Sequence, residues 1–246
     1  MDNPLIRKLE NFSPLSAIDR AVLARATEER VRYFPAREDV ISEGEHPHSV
    51  KLFLSGWACR YKQLSDGRRQ IVALFLPGDL CDHNVFILRR MDHSIAALTP
   101  STVAELSQQT FERITLNHPR IVQALWWDTL VTAAVQREWT VNLGQRYAIE
   151  RVANLLCELF LRLRGVGLAD TDGFDLPLTQ TDLASATGMS AVHVNRTLQG
   201  MRARGLLTLK GRRLTILNQS ALMSAGSFDA GYLHLREEGL DPQDSK

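Results

Sequence analysis

Six cations and one carboxylate carry most of the recognisable chemistry in this chain. Between Leu176 and Leu217 lie Arg196, Arg202, Arg204, Lys210, Arg212 and Arg213, against the single acid Asp182. That stretch carries +5, the remainder −4, and the whole 246-residue chain +1. A basic face on a near-neutral chain is the footprint of phosphate contacts. Residues 178–217 read LTQTDLASATGMSAVHVNRTLQGMRARGLLTLKGRRLTIL. Thr179 with Asp182 three residues on forms a capping box and starts a helix, with Leu183 and Ala184 inward and Gly188 ending it. Ser190 caps a second helix whose inward row is Val194, Leu198 and Met201, and Gly205 ends it. LLTLK and RLTIL then flank Gly211-Arg212 as a compact hairpin. Helix, tight glycine turn, helix and hairpin make a winged helix-turn-helix, whose second helix fits the DNA major groove. Winged helices also serve as protein–protein modules, in which Arg204 and Lys210 would be plain solvated charges. The coincidence of caps, spacing and charge favours DNA.

Other constellations are weaker. His46-Pro47-His48 is a His-x-His pair in a β-rich region, the kind that cupin-type metal enzymes use. No glutamate follows at the right distance, Gly44 is too close, and no third histidine fits. The pair reads as a solvated loop, so neither a metal nor a cofactor is expected. No Walker loop, nucleophile elbow or HExxH is present, and no catalytic residue is assigned. The alternative function is a β-roll metal-dependent, cupin-like enzyme with the winged helix as an interaction module. Three cysteines, Cys59, Cys81 and Cys157, give neither a disulfide framework nor a CxxC knuckle. A redox role for Cys81 competes with a buried, inert thiol, which is the preferred reading.

The elements that must position the basic module follow from periodicity. Two short helices occupy the first 30 residues, with Ser13-Pro14 and Ser16 as break and cap. From Val31 the stretches VRYF, DVISEG, SVKLFLSGWACRYKQL, RRQIVALFL, SIAALT and STVAELS are short and punctuated by turns, Asp66-Gly67 being a strong hairpin signal. They predict an antiparallel roll over about 31–108. After Pro119 a long helical pattern begins and breaks near Gly144. One seam of it holds Ile121, Leu125, Thr132, Val135, Trp139 and Asn142, another Trp127, Val131, Ala134 and Val141. Two seams call for two partners: the roll, and either a second copy of the chain or more of its own core. Residues 147–164 form a further helix, and GVGLADTDGFD is a linker. The fold class is α+β: an N-terminal antiparallel, jelly-roll-like β roll, a long dimerisation helix and a C-terminal winged helix-turn-helix. The divisions are 1–118, 119–146, 147–222 and a tail, 223–246. In the tail Phe228, Tyr232 and Leu233 dock on the winged helix and the last ten or so residues are mobile. The N-terminus MDNPLIRKLENFSPL has no signal core and no apolar run approaches 18 residues, so a cytoplasmic protein without a membrane partner is expected.

These motifs resemble the Crp/Fnr family of transcriptional regulators over roughly residues 12–222. TQTDLASATGMSAVHVNRTLQGMRARGLLTLKGRRLTI carries the resemblance most specifically; VISEGEHPHSVKLFLSGWACRYKQLSDGRRQIVALFLPGD and the helix after HPRIV are collinear. The resemblance implies a cyclic-nucleotide-binding-type roll, a dimerising helix, and a homodimer reading a two-fold symmetric site on double-stranded DNA, with RNA polymerase as a protein partner. It places base-reading positions at Ala191, Val192, Asn195 and Arg196. Arg196 suits bidentate reading of guanine, Asn195 suits adenine, and Val192 and Ala191 offer only apolar contact. His193 touches DNA or faces solvent. Thr179, Gln180, Thr181 and Ser190 match phosphate contacts, and Lys210 and Arg212 wing contacts.

The resemblance also frames the effector. Pro77-Gly78-Asp79 matches the turn that opens the ligand loop, but the Arg-Ser pair that holds a cyclic phosphate is missing; the nearest text is Arg89-Arg90-Met91-Asp92-His93-Ser94. Asp92 there would repel an anion. The helix positions facing the base read Gln136 and Arg137. The candidate effector pocket is therefore Gly78, Asp79, Arg89, Arg90, Gln136 and Arg137. Cyclic AMP is not expected to bind, although Arg89 or Arg90 could hold another anion. Too few cysteines exist for a four-cysteine iron–sulfur cluster. Haem stays open, because seven histidines are available.

Overall fold

Alternating apolar residues between tight turns set up eight short strands, and the computed structural model pairs them into two antiparallel sheets. Residues 3–83 and 85–235 are described; the tail residues expected to be mobile lie outside the described residues. One sheet has the order β1 (Val31–Phe34), β8 (Ser101–Ser107), β3 (Ser49–Ser55), β6 (Leu80–Cys81). The other has the order β2 (Asp39–Ile41), β7 (Ser94–Ala97), β4 (Ala58–Gln63), β5 (Arg69–Phe75). Gly67 sits at φ +86° in the turn that joins β4 to β5. The core between the sheets is built from Phe34, Val50, Leu52, Phe53, Ile95 and Val103. It is closed by Leu5 and Leu9 of α1 (Pro4–Glu10) and Leu23 of α2 (Ala17–Glu28). Ser16 caps α2, with Asp19 completing the box. Gly78 at φ +95° is sterically required: a Cβ there would meet the Pro4 carbonyl oxygen at 2.6 Å.

A helix absent from the sequence reading, α3 (Gln108–Asn117), follows the roll and is capped by Ser107. The long helix α4 (Pro119–Gln145) then crosses the roll. It runs through Gly144; the break falls at Arg146-Tyr147, where extended backbone lets Glu150 accept from the Tyr147 N–H and begin α5 (Ala148–Gly165). Of the first predicted seam, Ile121, Leu125, Val135, Trp139 and Asn142 are buried, but Thr132 is exposed. Of the second, Val131 and Ala134 are buried in the chain's own core, so that seam is not free as a whole. The apolar residues α4 presents outward are Trp126, 68% exposed, and Leu130, 64% exposed, together with Trp127 and Val141, the other half of that seam.

The predicted linker contains a strand, β9 (Gly173–Asp175). It adds to the wing hairpin of β10 (Leu207–Lys210) and β11 (Arg213–Ile216), so the wing sheet has the order β10, β11, β9. Between them stand α6 (Gln180–Thr187) and α7 (Ala191–Ala203). α8 (Gln219–Ala225) runs across the expected boundary between 222 and 223 and packs on α5. Phe228 and Leu233 are buried, and the Tyr232 hydroxyl donates to Glu158 of α5 at 3.2 Å. The tail also reaches α4, where the His234 ring lies edge-on to Trp127.

Candidate nucleic-acid interface

The reading helix is fixed by its caps. The Thr179 hydroxyl accepts the Asp182 N–H at 3.1 Å, and Asp182 accepts the Thr179 N–H at 2.9 Å. Gly188 closes α6 in the left-handed region, φ +65°, and only three residues, Gly188, Met189 and Ser190, separate the helices. Ser190 then accepts the His193 N–H at 3.2 Å and starts α7. Val194, Leu198 and Met201 bury one face of α7. The opposite face carries Val192, His193 and Arg196, all exposed, with Ala191 and Asn195 half-buried beside them. Positions 192, 195 and 196 share one helical face. The structure thus brings together the five positions marked for base reading.

Around them, Thr179, Gln180, Thr181 and Ser190 are exposed at the two helix starts, and Lys210 and Arg212 are exposed at the wing turn. The Thr179 hydroxyl proton is already given to Asp182 at 2.7 Å, whereas the Ser190 hydroxyl uses only its acceptor side. Among the described residues, Arg196, Arg202, Arg204, Lys210 and Arg212 have no ion pair with a carboxylate. Arg213 differs: Asp170 pairs with it, and Asp172 and Asp175 lie at 3.9 Å. Its charge is satisfied internally, so five of the six cations remain for phosphate. A helix N-terminus with unpaired cations around it is suited to a polyanion.

Two devices hold this module to the rest of the chain. Arg151 of α5 donates to the Thr187 carbonyl at 2.7 Å and to the Leu143 and Arg146 carbonyls at 3.1 and 3.0 Å, joining the ends of α4 and α6. On the roll side, Arg37 makes a bidentate pair with Asp182 at 2.6 and 2.8 Å. Burial alone would raise the Asp182 pKa, but the hydrogen bonds from Arg37 and Thr179 outweigh it and hold the carboxyl below its ordinary value. Ser185 accepts the Ile71 N–H at 3.2 Å and donates to the Arg69 carbonyl at 3.0 Å, and Gln70 donates to the Ser185 carbonyl.

The effector residues are dispersed. Asp79 and Gln136 line a cavity of about 70 Å³ between β5, α1, α4, α5 and the tail. Asp79 is paired there with Lys8 at 2.8 Å and with Arg162 of α5 at 2.7 Å. Arg162 also bonds Glu158, whose carboxyl burial pushes upward. Gly78 shapes the turn, but Arg89, Arg90 and Arg137 lie exposed on the surface and do not join the cavity. The Asp92 carboxylate is also largely in solvent, bonded to His93, so it is not the group that would repel a ligand. Nearby, Asp82 pairs with Arg60 at 2.6 Å and His93 at 3.1 Å. Residues distant in sequence meet here across the roll, which no local pattern reveals. His46 and His48 are exposed with ring centroids 6.5 Å apart, and no cluster among the described residues has three groups able to hold a metal. No haem-binding arrangement is assigned.

Residues 31–118 match the family model for a cyclic nucleotide-binding domain, and residues 150–225 that for a Crp-like helix-turn-helix domain. The chain is 30% identical over 228 residues to the transcriptional activator protein FnrL of Cereibacter sphaeroides, covering 87% of this chain and 91% of that one. The chain belongs to the Crp/Fnr family. It is a DNA-binding transcriptional regulator with a roll of the cyclic-nucleotide-binding type, and the relatives give no support to the enzyme alternative. The regulator is also 30% identical over 189 residues to the nitrogen fixation regulation protein FixK of Bradyrhizobium diazoefficiens, covering 76% and 77%. The solved structure of FixK2 from Bradyrhizobium japonicum superposes with a TM-score of 0.71 at 26% identity, covering 80% of the regulator and 96% of FixK2. Arg37 and Arg151 were not marked by sequence reasoning. An arginine has no period or motif of its own, and each of these earns its position from partners far along the chain.

Proposed function

We propose that the regulator acts in the cytoplasm as a homodimer that reads an inverted-repeat site through α7. Arg196 would take guanine, Asn195 adenine, and Val192 and Ala191 a thymine methyl, with His193 at the groove edge. Phosphates would be held by Gln180, Thr181, Ser190, Lys210 and Arg212, and by Thr179 through its backbone. The observation that carries this reading is the exposed α7 face with Arg196, Lys210 and Arg212 unpaired, while Arg37 and Arg213 are occupied. The outward Trp126 and Leu130 support a second copy on α4, and no helix among the described residues is long and apolar enough to cross a membrane. RNA polymerase is the expected protein partner, since FnrL is named an activator. Selecting fragments from random DNA with the purified protein tests the proposal: half-sites about 34 Å apart in inverted orientation are expected. A stable monomer without sequence preference refutes it.

Cyclic AMP is not the effector in this reading. A cavity of about 70 Å³ is well below the ~300 Å³ at the small end of ligand pockets. Arg89 and Arg90, the cations nearest the expected phosphate position in sequence, lie exposed and outside that cavity. Calorimetry at millimolar cyclic AMP is expected to show no saturable heat; a Kd below about 50 μM, roughly −6 kcal/mol, overturns this.

A further inference from the structure

The winged helix-turn-helix docks on the roll by a surface that DNA does not need. β5 is the edge of its sheet, and an edge strand leaves backbone N–H and C=O groups unpaired. Ser185 of α6 satisfies two of them, the Ile71 N–H and the Arg69 carbonyl. Under this polar seam the packing is continuous: Cys59 and Ile71 of the roll and Leu183 and Ala184 of α6 belong to one buried cluster. Arg37 closes the seam at the other end. It is held at φ +72° in the turn between β1 and β2, and both its terminal nitrogens bond Asp182. Asp182 is the only acid of the basic module and stands in the first turn of α6, beside the expected phosphate contacts. Its charge would oppose a phosphate there, and the Arg37 guanidinium offsets it.

With this latch closed, Gln180, Thr181, Val192, Arg196, Lys210 and Arg212 all remain exposed. Closure therefore buries none of these six side chains. A winged helix tethered only through α5 would lose orientational freedom on binding, which weakens association. We propose that the roll fixes the winged helix in its DNA-binding orientation through this latch, with Arg37 and Ser185 as positioning residues that do not touch DNA. The inference rests on DNA binding by α7.

The test measures full-length protein on its selected DNA site by fluorescence anisotropy across a salt series, for Arg37→Ala, Arg37→Lys and Ser185→Ala. Roughly tenfold weaker binding is expected for Arg37→Ala, with part of the loss restored in Arg37→Lys. Ser185→Ala, which changes no charge, should weaken binding about threefold. The salt slope should stay at the wild-type value in all three, because no phosphate contact is lost. Faster amide hydrogen exchange at Ile71 should accompany the loss. A slope lowered by about one unit in Arg37→Ala, with Ser185→Ala unchanged, makes Arg37 a phosphate ligand and overturns the proposal. Tighter binding by either variant means that the latch restrains the module, and overturns it too, as does unchanged binding by both. If Arg37→Ala unfolds the winged helix, Ser185→Ala alone decides. Loss of all sequence preference in wild-type protein would instead refute the α7 reading itself.

Discussion

Replacing Leu130 with glutamate tests the dimer directly. Leu130 is 64% exposed on α4 and sits one turn from Trp126, itself 68% exposed, so neither supports the chain's own core. Fully burying a leucine is worth about 1.5–3 kcal/mol, and about two thirds of that remains to be gained here, roughly 1–2 kcal/mol. A two-fold axis repeats the contact, so the dimer loses about 2–4 kcal/mol before any repulsion between the new carboxylates. At 1.4 kcal/mol per decade, dimer Kd rises roughly 30- to 700-fold. Sedimentation equilibrium over a micromolar range reads this, and a thermal melt confirms that the fold is retained. Affinity for a full inverted repeat should fall in parallel, whereas affinity for a half-site should not. An unchanged dimer mass with an intact melt would show that Trp126 and Leu130 face solvent in the native assembly.

Three further outcomes are expected. Arg196→Ala should lose roughly 1–3 kcal/mol at one base pair per half-site, read by competition with single-base variants, while Lys210→Ala weakens all sequences alike and lowers the salt slope by about one unit; the reverse pattern would place the wing, not α7, in the groove. All three thiols are buried, and desolvation raises Cys59 to about 11, Cys157 to about 12 and Cys81 well above its ordinary value. A thiol reagent at pH 7.5 should therefore label the folded protein negligibly and the denatured chain at three sites; rapid labelling of Cys81 would restore a redox role. Asp82 and Asp182 have folded pKa values below their unfolded ones, since hydrogen-bonded and charged partners outweigh burial. The stability they supply is present above about pH 4 and is lost as pH falls through the folded values, so melting temperature should decline below pH 4; a rise there would contradict those pairings.

The DNA-reading module was legible because its determinants are local. A capping box spans four residues, the glycine turn three, and the inward row Val194, Leu198, Met201 one helical face. The strands of the roll were legible for the same reason, through alternation and Asp66-Gly67. Periodicity also showed that α4 has more apolar surface than one partner covers. It did not show which residues would be left over: Val131 and Ala134 went to the chain's own core, and Trp126 and Leu130 stayed outside.

What the tertiary structure alone decided lies where distant segments meet. β9 became a strand only because β11 offered it an edge, since three residues of Gly-Phe-Asp have no strand pattern of their own. Arg89, Arg90 and Arg137, marked by proximity in sequence, lie exposed and outside the cavity, whereas Arg60, Asp82 and His93, up to 33 positions apart, are joined by hydrogen bonds. Arg37 and Asp182, 145 positions apart, tie the roll to the reading module. Sequence by itself determined the elements, their caps and the basic reading face, because hydrogen bonding and amphipathic period act over a few residues. Which charges are spent on internal partners and which stay free for DNA depended on the closed fold, because an ion pair is set by distance in space and by burial.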